Sequence, residues 1–281
     1  MLDVYKSCYG LQQQPFRLSP DSRFSFGHRS YDNALSYLKY AISEGEGIVV
    51  VTGAPGTGKT TLIGGLLAEL DSTYVRAATV ESAQVQSTHL LSSVIEAFDL
   101  DPAPESTTPW QYLRRFLLEG FRQGKRNVLI VDEAQAMTPE SLEELRLLSN
   151  MQVDNRLLLQ MFLVGQEGLL DKVRAPGMEQ LHQRLIAATH LEPLNVEETV
   201  AYVEHRLRQS GWTGDPEIGM QAMTLINKFS EGVPRRINLI CHRLFLYGGL
   251  SEKHCLDGSD ALHVVVELHR EGLLVPVSRR V

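Results

Sequence analysis

Three stretches of the chain are apolar at every position: "IVVV" at 48–51, "VLIV" at 128–131 and "MFLV" at 161–164. Runs this short without a polar residue predict strands buried on both faces, as in a parallel sheet. Helical patterns lie between them. "YDNALSYLKYAIS" at 31–43 places Leu35, Leu38 and Ile42 at helical spacing, and Glu44–Gly47 breaks it. Further helices are expected to about Leu70, over "STHLLSSVIEAFDL", over "WQYLRRFLLEGFRQG" and over "PESLEELRLLSNM", where Pro139 suits a first helical turn. "TYVRAATV" at 73–80 reads as a further strand. Strand and helix alternate, which predicts an α/β fold: a parallel sheet with helices on both faces.

The pattern changes near Leu194. "NVEETVAYVEHRLRQSG", "PEIGMQAMTLINKFSEG" and "VPRRINLICHRLFLYGGLSEK" are helical, with no strand expected between them. Asn195 followed by Glu198 reads as a capping box. A last helix is expected to be capped near Asp257 or Ser259. Residues 1–30 show no helical period, and Phe16, Phe24 and Phe26 are the groups expected to pin them down. The expected organisation is an arm over 1–30, an α/β core over 31–193 and a helical lid subdomain over 194–281.

Composition narrows the function only a little. Hydrophobic residues make up 43% of the 281 and charged residues 22%, which is ordinary for a globular protein. The net charge of −7 argues against a broad nucleic-acid surface, although "RRIN", "CHR" and "SRRV" leave room for a local basic strip. Cys8, Cys241 and Cys255 are too scattered for a disulfide framework or a zinc site, and a reducing cytoplasm is expected. His182 and His190 read as surface or packing residues. No apolar run is long enough to cross a bilayer, and "MLDVYKSCYG" has no signal-peptide core.

The chemistry enters at "GAPGTGKTT", directly after the first apolar run. Gly53, four residues, Gly58, Lys59 and Thr60 complete G-x-x-x-x-G-K-[ST]. Gly53, Gly56 and Gly58 allow a tight loop, with Ala54, Pro55 and Thr57 between them, whose N–H groups face an anion. The helix through Thr61 adds its positive dipole end. Lys59 suits the β- and γ-phosphates, and the Thr60 hydroxyl suits Mg²⁺. Asp132 leaves the tip of the second apolar run as a candidate Mg²⁺ partner, and Glu133 beside it is a candidate for polarising water. These residues predict nucleotide hydrolysis. No N/T-K-x-D guanine signature is present, so ATP is expected rather than GTP.

Three further side chains are candidates. Gln166 ends the third run, where it would position water near the γ-phosphate. Arg184 in "QRL" and Arg235 in "GVPRRIN" suit the charge that phosphoryl transfer concentrates on the γ-phosphate. Arg236 competes with Arg235, and Arg174 and Arg206 compete less well with Arg184.

In this order, "GAPGTGKT", "VLIVDE", "VGQ", "QRL" and "GVPRRIN" resemble an AAA+ ATPase. With the lead-in "YGLQQQPFRLSPDSRFSF", "LLSNMQ" and "VEETVAYVEHRL", the chain resembles the general-secretion-pathway protein A (ExeA) family. "SGWTGDP" and "SEKH" are similar to secretion ATPases found beside exosortase (PEP-CTERM) and exopolysaccharide genes. The resemblance implies catalysis by Glu133, a sensor at Gln166, an Arg184 finger reaching a neighbouring subunit, and Arg235 coupling the lid to the γ-phosphate. It implies that the stretch from Phe16 to Arg29 runs past the adenine. It implies a homo-oligomer with ATP and Mg²⁺, partners in envelope secretion or polysaccharide export, and a cytoplasmic place, peripheral at the inner membrane. Long members carry a transmembrane helix and a peptidoglycan-binding domain after the ATPase. The 281 residues show neither, so a grip on the cell wall is not expected. Two other readings compete: a DNA regulator like the transposition ATPases, disfavoured by the acidic charge, and a scaffold that binds nucleotide without turnover, disfavoured by Glu133.

Overall fold

The computed structural model describes residues 4–19, 24–45, 47–82 and 90–274. The chain forms two compact units. One comprises residues 29–55 and 62–191; the other comprises 1–28, 56–61 and 192–281.

The first unit is the α/β body. Helix α2 (Arg29–Glu44) leads into β1 (Ile48–Gly53), and α3 (Lys59–Glu69) follows. Then come β2 (Val75–Glu81), α4 (Leu90–Ala97), α5 (Pro109–Arg122), β3 (Arg126–Asp132), a 3-10 turn (Ala134–Ala136) and α6 (Pro139–Ser149). A hairpin of β4 (Gln152–Val153) and β5 (Arg156–Leu157) precedes β6 (Gln160–Gly165), α7 (Gly168–Arg174), α8 (Glu179–Gln183) and β7 (Leu185–Leu191). The five long strands pair in parallel in the order β2-β3-β6-β1-β7. The expectation of a parallel α/β sheet holds.

Continuous apolar strands follow from this sheet, because each strand feeds two cores. Alternate residues Ile48, Val50, Leu129, Val131, Met161 and Leu163 pack with α4–α8. The intervening Val49, Val51, Val128, Ile130, Phe162 and Val164 pack with α2 and α3. A polar residue at either phase would sit in a dry layer. In a parallel sheet all strands end on one edge, so Gly53, Asp132 and Gly165 all lie at the C-terminal edge, where α/β folds hold ligands.

The second unit is helical. Its parts are α1 (Val4–Cys8), α9 (Val196–Gln209), β8 (Glu217–Ile218), α10 (Met220–Ser230), α11 (Pro234–Leu250), β9 (Cys255–Leu256) and α12 (Gly258–Arg270). Asn195 accepts from the Glu198 N–H at 2.8 Å and Glu198 returns a bond to the Asn195 N–H at 3.0 Å, closing a capping box on α9. Asp257 caps α12 in the same way.

Three features differ from the sequence reading. Residues 4–8 of the arm are helical, where no helical period was evident. Two strands of two residues, β8 and β9, pair inside the helical region. The β4–β5 hairpin was not anticipated either. Its turn carries Asp154 and Asn155 with φ of 49° and 58°, the two-residue turn chemistry that favours Asn and Asp.

The arm packs inside the helical unit. Tyr9, Leu11 and Phe16 are buried with Tyr202, Leu207, Leu244 and Phe245. Arg206 holds it there. Its Nε donates to the Pro15 carbonyl at 2.6 Å, its Nη1 donates to the Tyr202 hydroxyl at 2.8 Å, and its guanidinium lies 4.7 Å from the Phe24 ring centre.

Candidate active site

Helix α3 begins at Lys59, straight after a loop with glycines at positive φ: +85° at Gly56 and +100° at Gly58. Other residues reach these angles only under strain, so the loop's course requires glycine there. A Cβ on Gly58 would meet no atom within 4 Å, leaving its backbone open to a ligand. A Cβ on Gly56 would lie 2.7 Å from Cβ of Arg235. Lys59 and Thr57 are buried, while Thr60 and Pro55 are exposed, and Ala54 and Thr61 are half-buried. Residues 56–61 group with the helical unit, whereas Gly53, Ala54 and Pro55 belong to the α/β body.

Arg235 sits in the first turn of α11, which Pro234 opens. Its N–H donates to the Gly56 carbonyl at 3.2 Å. Arg236, its competitor, lies 3.3 Å from Glu231 as an ion pair.

At the end of β3, Asp132 is buried and Glu133 is exposed. Glu133 has left-handed backbone angles, φ 53° and ψ 32°. A non-glycine residue in this region costs about 1–3 kcal/mol and persists only where its surroundings impose it. Here they do. The Glu133 N–H donates to Asp132 Oδ1 at 2.8 Å, and the Ser82 hydroxyl donates to the Glu133 carbonyl at 2.5 Å. The sharp turn lifts the Glu133 side chain off the strand direction and out of the core.

Gln135, which the sequence reading passed over, ties this turn to the next strand. Its Nε2 donates to Glu133 Oε2, and its Oε1 accepts from the Gln166 N–H at 2.9 Å. Its carbonyl accepts from Lys172 Nζ at 2.5 Å, and Lys172 also reaches the Met137 carbonyl at 3.2 Å. Gln166 therefore stands beside Glu133 through one amide, at the tip of β6. Thr52, also unforeseen, lies 3.0 Å from Nδ1 of His190 through its hydroxyl.

Arg184 is elsewhere. It caps α8 just before β7, and its carbonyl accepts from the Ile48 N–H at 2.8 Å. That is the N-terminal edge of the sheet. Five strand residues at about 3.3 Å each put it roughly 17 Å along β1 from Gly53. Its guanidinium donates to the Ser149 carbonyl at the end of α6. Arg184 thus stands apart from Asp132, Glu133 and Gln166 of its own body. Of its competitors, Arg206 is consumed by the arm and Arg174 is exposed at the end of α7.

The two residues expected from the sequence to hold a metal, Thr60 and Asp132, carry a hydroxyl and a carboxylate, donor types that suit a hard cation that keeps several waters. Among the described residues, no cluster of three His, Cys, Asp or Glu suits a metal held by protein alone.

Comparison with known proteins agrees with this architecture. Residues 42–173 match the family model described as AAA domain. The chain is 36% identical over 274 residues to general secretion pathway protein A of Aeromonas hydrophila, covering 96% of this chain and 50% of that protein. The chain therefore spans about half the length of this curated relative. Among solved structures, the Aeropyrum pernix ORC1 protein in complex with DNA superposes with a TM-score of 0.70 at 14% identity, over 93% of this chain and 71% of that one. The Aeropyrum pernix ORC2 protein in its ADPNP–ADP complexes gives 0.64 at 16% identity, over 92% and 75%. The Thermotoga maritima RuvB branch migration motor gives 0.59 at 19%, over 94% and 76%. The AAA domain model thus matches the α/β body from α2 to α7, and the solved structures share the fold over more than nine-tenths of this chain.

Proposed function

We propose that this chain hydrolyses ATP with Mg²⁺ in a homo-oligomer and drives or regulates an envelope secretion or export machine. The observation that carries the reading is the turn at Asp132–Glu133. A buried acid at a strand tip is followed by an exposed acid in a strained backbone, on the sheet edge to which the glycine loop is joined through Gly53. Lys59 and the loop N–H groups bind the phosphates. Thr60 and Asp132 hold Mg²⁺, which when bound supplies positive charge to the β- and γ-phosphates. Glu133 takes the proton of the attacking water, and Gln166 orients that water. Arg184 serves a neighbouring subunit's nucleotide, and Arg235 reports the state of the loop to the helical unit.

The secretion role is supported by the likeness to the Aeromonas protein over nearly the whole chain. Placement beside exosortase or exopolysaccharide export rests on "SGWTGDP" and "SEKH". A cytoplasmic protein peripheral at the inner membrane suits such a role. Among the described residues no helix is long and apolar enough to cross a membrane.

A second reading, an ATP-dependent DNA-binding regulator, draws on the likeness to an ORC1 protein solved with DNA. The charge of −7 weighs against it.

The test is nucleotide binding and turnover of two variants. Lys59→Ala is expected to lose ATP binding, and Glu133→Gln to bind ATP without turning it over. Normal turnover by either overturns the site. The Glu133→Gln protein held in ATP is then offered a DNA duplex at low and moderate salt. Steeply salt-sensitive binding favours the DNA reading, and no binding favours the secretion reading.

A further inference from the structure

We infer that Gln135 is a positioning residue for the hydrolytic step: its amide fixes the carboxylate of Glu133 in register with the Gln166 backbone. The inference rests on the reading of Glu133 as the base.

An amide has one donor end and one acceptor end, and both are committed here. The Gln166 N–H occupies Oε1, which forces Nε2 to face Glu133 Oε2. The amide cannot rotate without placing two donors or two acceptors together. The Gln135 backbone is anchored as well, because Lys172 Nζ donates to its carbonyl. Room for the side chain comes from Gly165. A Cβ there would lie 2.5 Å from Gln135 Oε1. Gly165 has no need of glycine for its backbone, since it ends β6 in extended geometry. Its smallness is explained first by the amide that passes over it, with Leu169 Cδ2 at 3.0 Å and the Gln135 backbone N at 3.2 Å crowding the same point.

The arrangement has a consequence for chemistry. Glu133 is exposed and its backbone is held, yet its side chain would otherwise turn freely. The Gln135 bond selects one rotamer and leaves the second carboxylate oxygen for water. Orientation of this kind changes the rate of the step without changing nucleotide affinity.

The experiment compares steady-state ATP hydrolysis and nucleotide binding for wild type, Gln135→Ala, Gln135→Glu, Gly165→Ala and the Gly165→Ala/Gln135→Ala pair. Thermal unfolding is measured alongside. Gln135→Ala is expected to lower kcat ~10-fold with KM within ~2-fold, the size usual for lost outer-shell support. Gln135→Glu keeps the acceptor for Gln166 but loses the donor to Glu133, and is expected to be at least as slow. Gly165→Ala is expected to be slow alone and to cost less in the Gln135→Ala background than in wild type, because loss of the amide removes the 2.5 Å contact and leaves only those to Leu169 Cδ2 and the Gln135 backbone N. Wild-type kcat in Gln135→Glu overturns the inference, as does a multiplicative Gly165 effect. If Gln135→Ala fails to fold, the Gln135→Glu result decides. Glu133→Gln separates the two layers of the argument. If it turns over normally, the underlying reading fails. If it is inactive while Gln135→Glu is normal, only the present inference fails.

Discussion

The backbone N–H of Arg235 donates to the carbonyl of Gly56 at 3.2 Å, and a Cβ on Gly56 would stand 2.7 Å from that of Arg235. The first turn of α11 therefore rests directly on the glycine loop. Gly56→Ala faces a clash and a φ of +85° together. It is expected to cost about 1–3 kcal/mol of stability and to weaken ATP binding at least tenfold. Thermal unfolding and nucleotide titration read the two effects. Wild-type values for both would show that the loop tolerates the shift.

Arg184 lies at the opposite edge of the sheet from Gly53, so its proposed role requires a second subunit. Specific activity is expected to rise with protein concentration and then plateau. Arg184→Ala is expected to lower turnover by ~10³-fold, the scale of an arginine finger. Mixing it with inactive Lys59→Ala is expected to restore activity, since some interfaces then combine an intact loop with an intact arginine. Flat specific activity on dilution, with no complementation, would remove the role. Arg184 would then stand only as the cap on the Ser149 carbonyl.

Arg206 is buried with its charge satisfied by Pro15, Tyr202 and Phe24. Arg206→Ala leaves the Pro15 carbonyl and the Tyr202 hydroxyl short of a donor, and is expected to cost about 2–3 kcal/mol. It is also expected to release the arm first. Limited proteolysis before residue 28, appearing ahead of global unfolding, is the readout. A variant that resists proteolysis like wild type would contradict the clamp.

His242 in α11 is half-buried, and burial, with Arg243 beside it, pushes its pKa below the ordinary 6.5. The unfolded chain therefore binds the proton more tightly than the folded one. The contribution to stability is complete above pH 6.5 and is lost as the pH falls through the lowered folded value. Melting temperature is expected to drop on acidification from 6.5, and His242→Gln is expected to flatten that drop. Equal pH slopes for the two proteins would exclude His242 as the cause.

The sheet was legible because its strands are buried on both faces, and such burial leaves runs such as "VLIV" that nothing else explains. The glycine loop was legible for a different reason. Phosphate binding fixes residue types at fixed offsets, so the motif survives without knowledge of the fold. The β4–β5 and β8–β9 pairs were missed because two residues carry no period, although Asp154-Asn155 held the turn signal. The arm's attachment was invisible in principle. Pro15 and Arg206 are far apart in sequence, and neither looks unusual locally. Gln135 was hidden in plain text within "DEAQ". Its role follows from where a single amide finds its two partners, and spacing along a chain does not encode that.

The Arg206–Pro15 bond spans 191 positions, and the Tyr9–Lys253 bond spans 244. A ribosome adding about 5–20 residues per second needs roughly 10–40 s to bridge the shorter gap. During that interval Tyr9, Leu11 and Phe16 have left the exit tunnel with no partner yet made, while the strands of the α/β body emerge behind them. Tyr9, Leu11 and Phe16 are thus made well before their partners and buried late. The arm is therefore a natural early client for a holding chaperone, and α9 and α11 collect it once they are made.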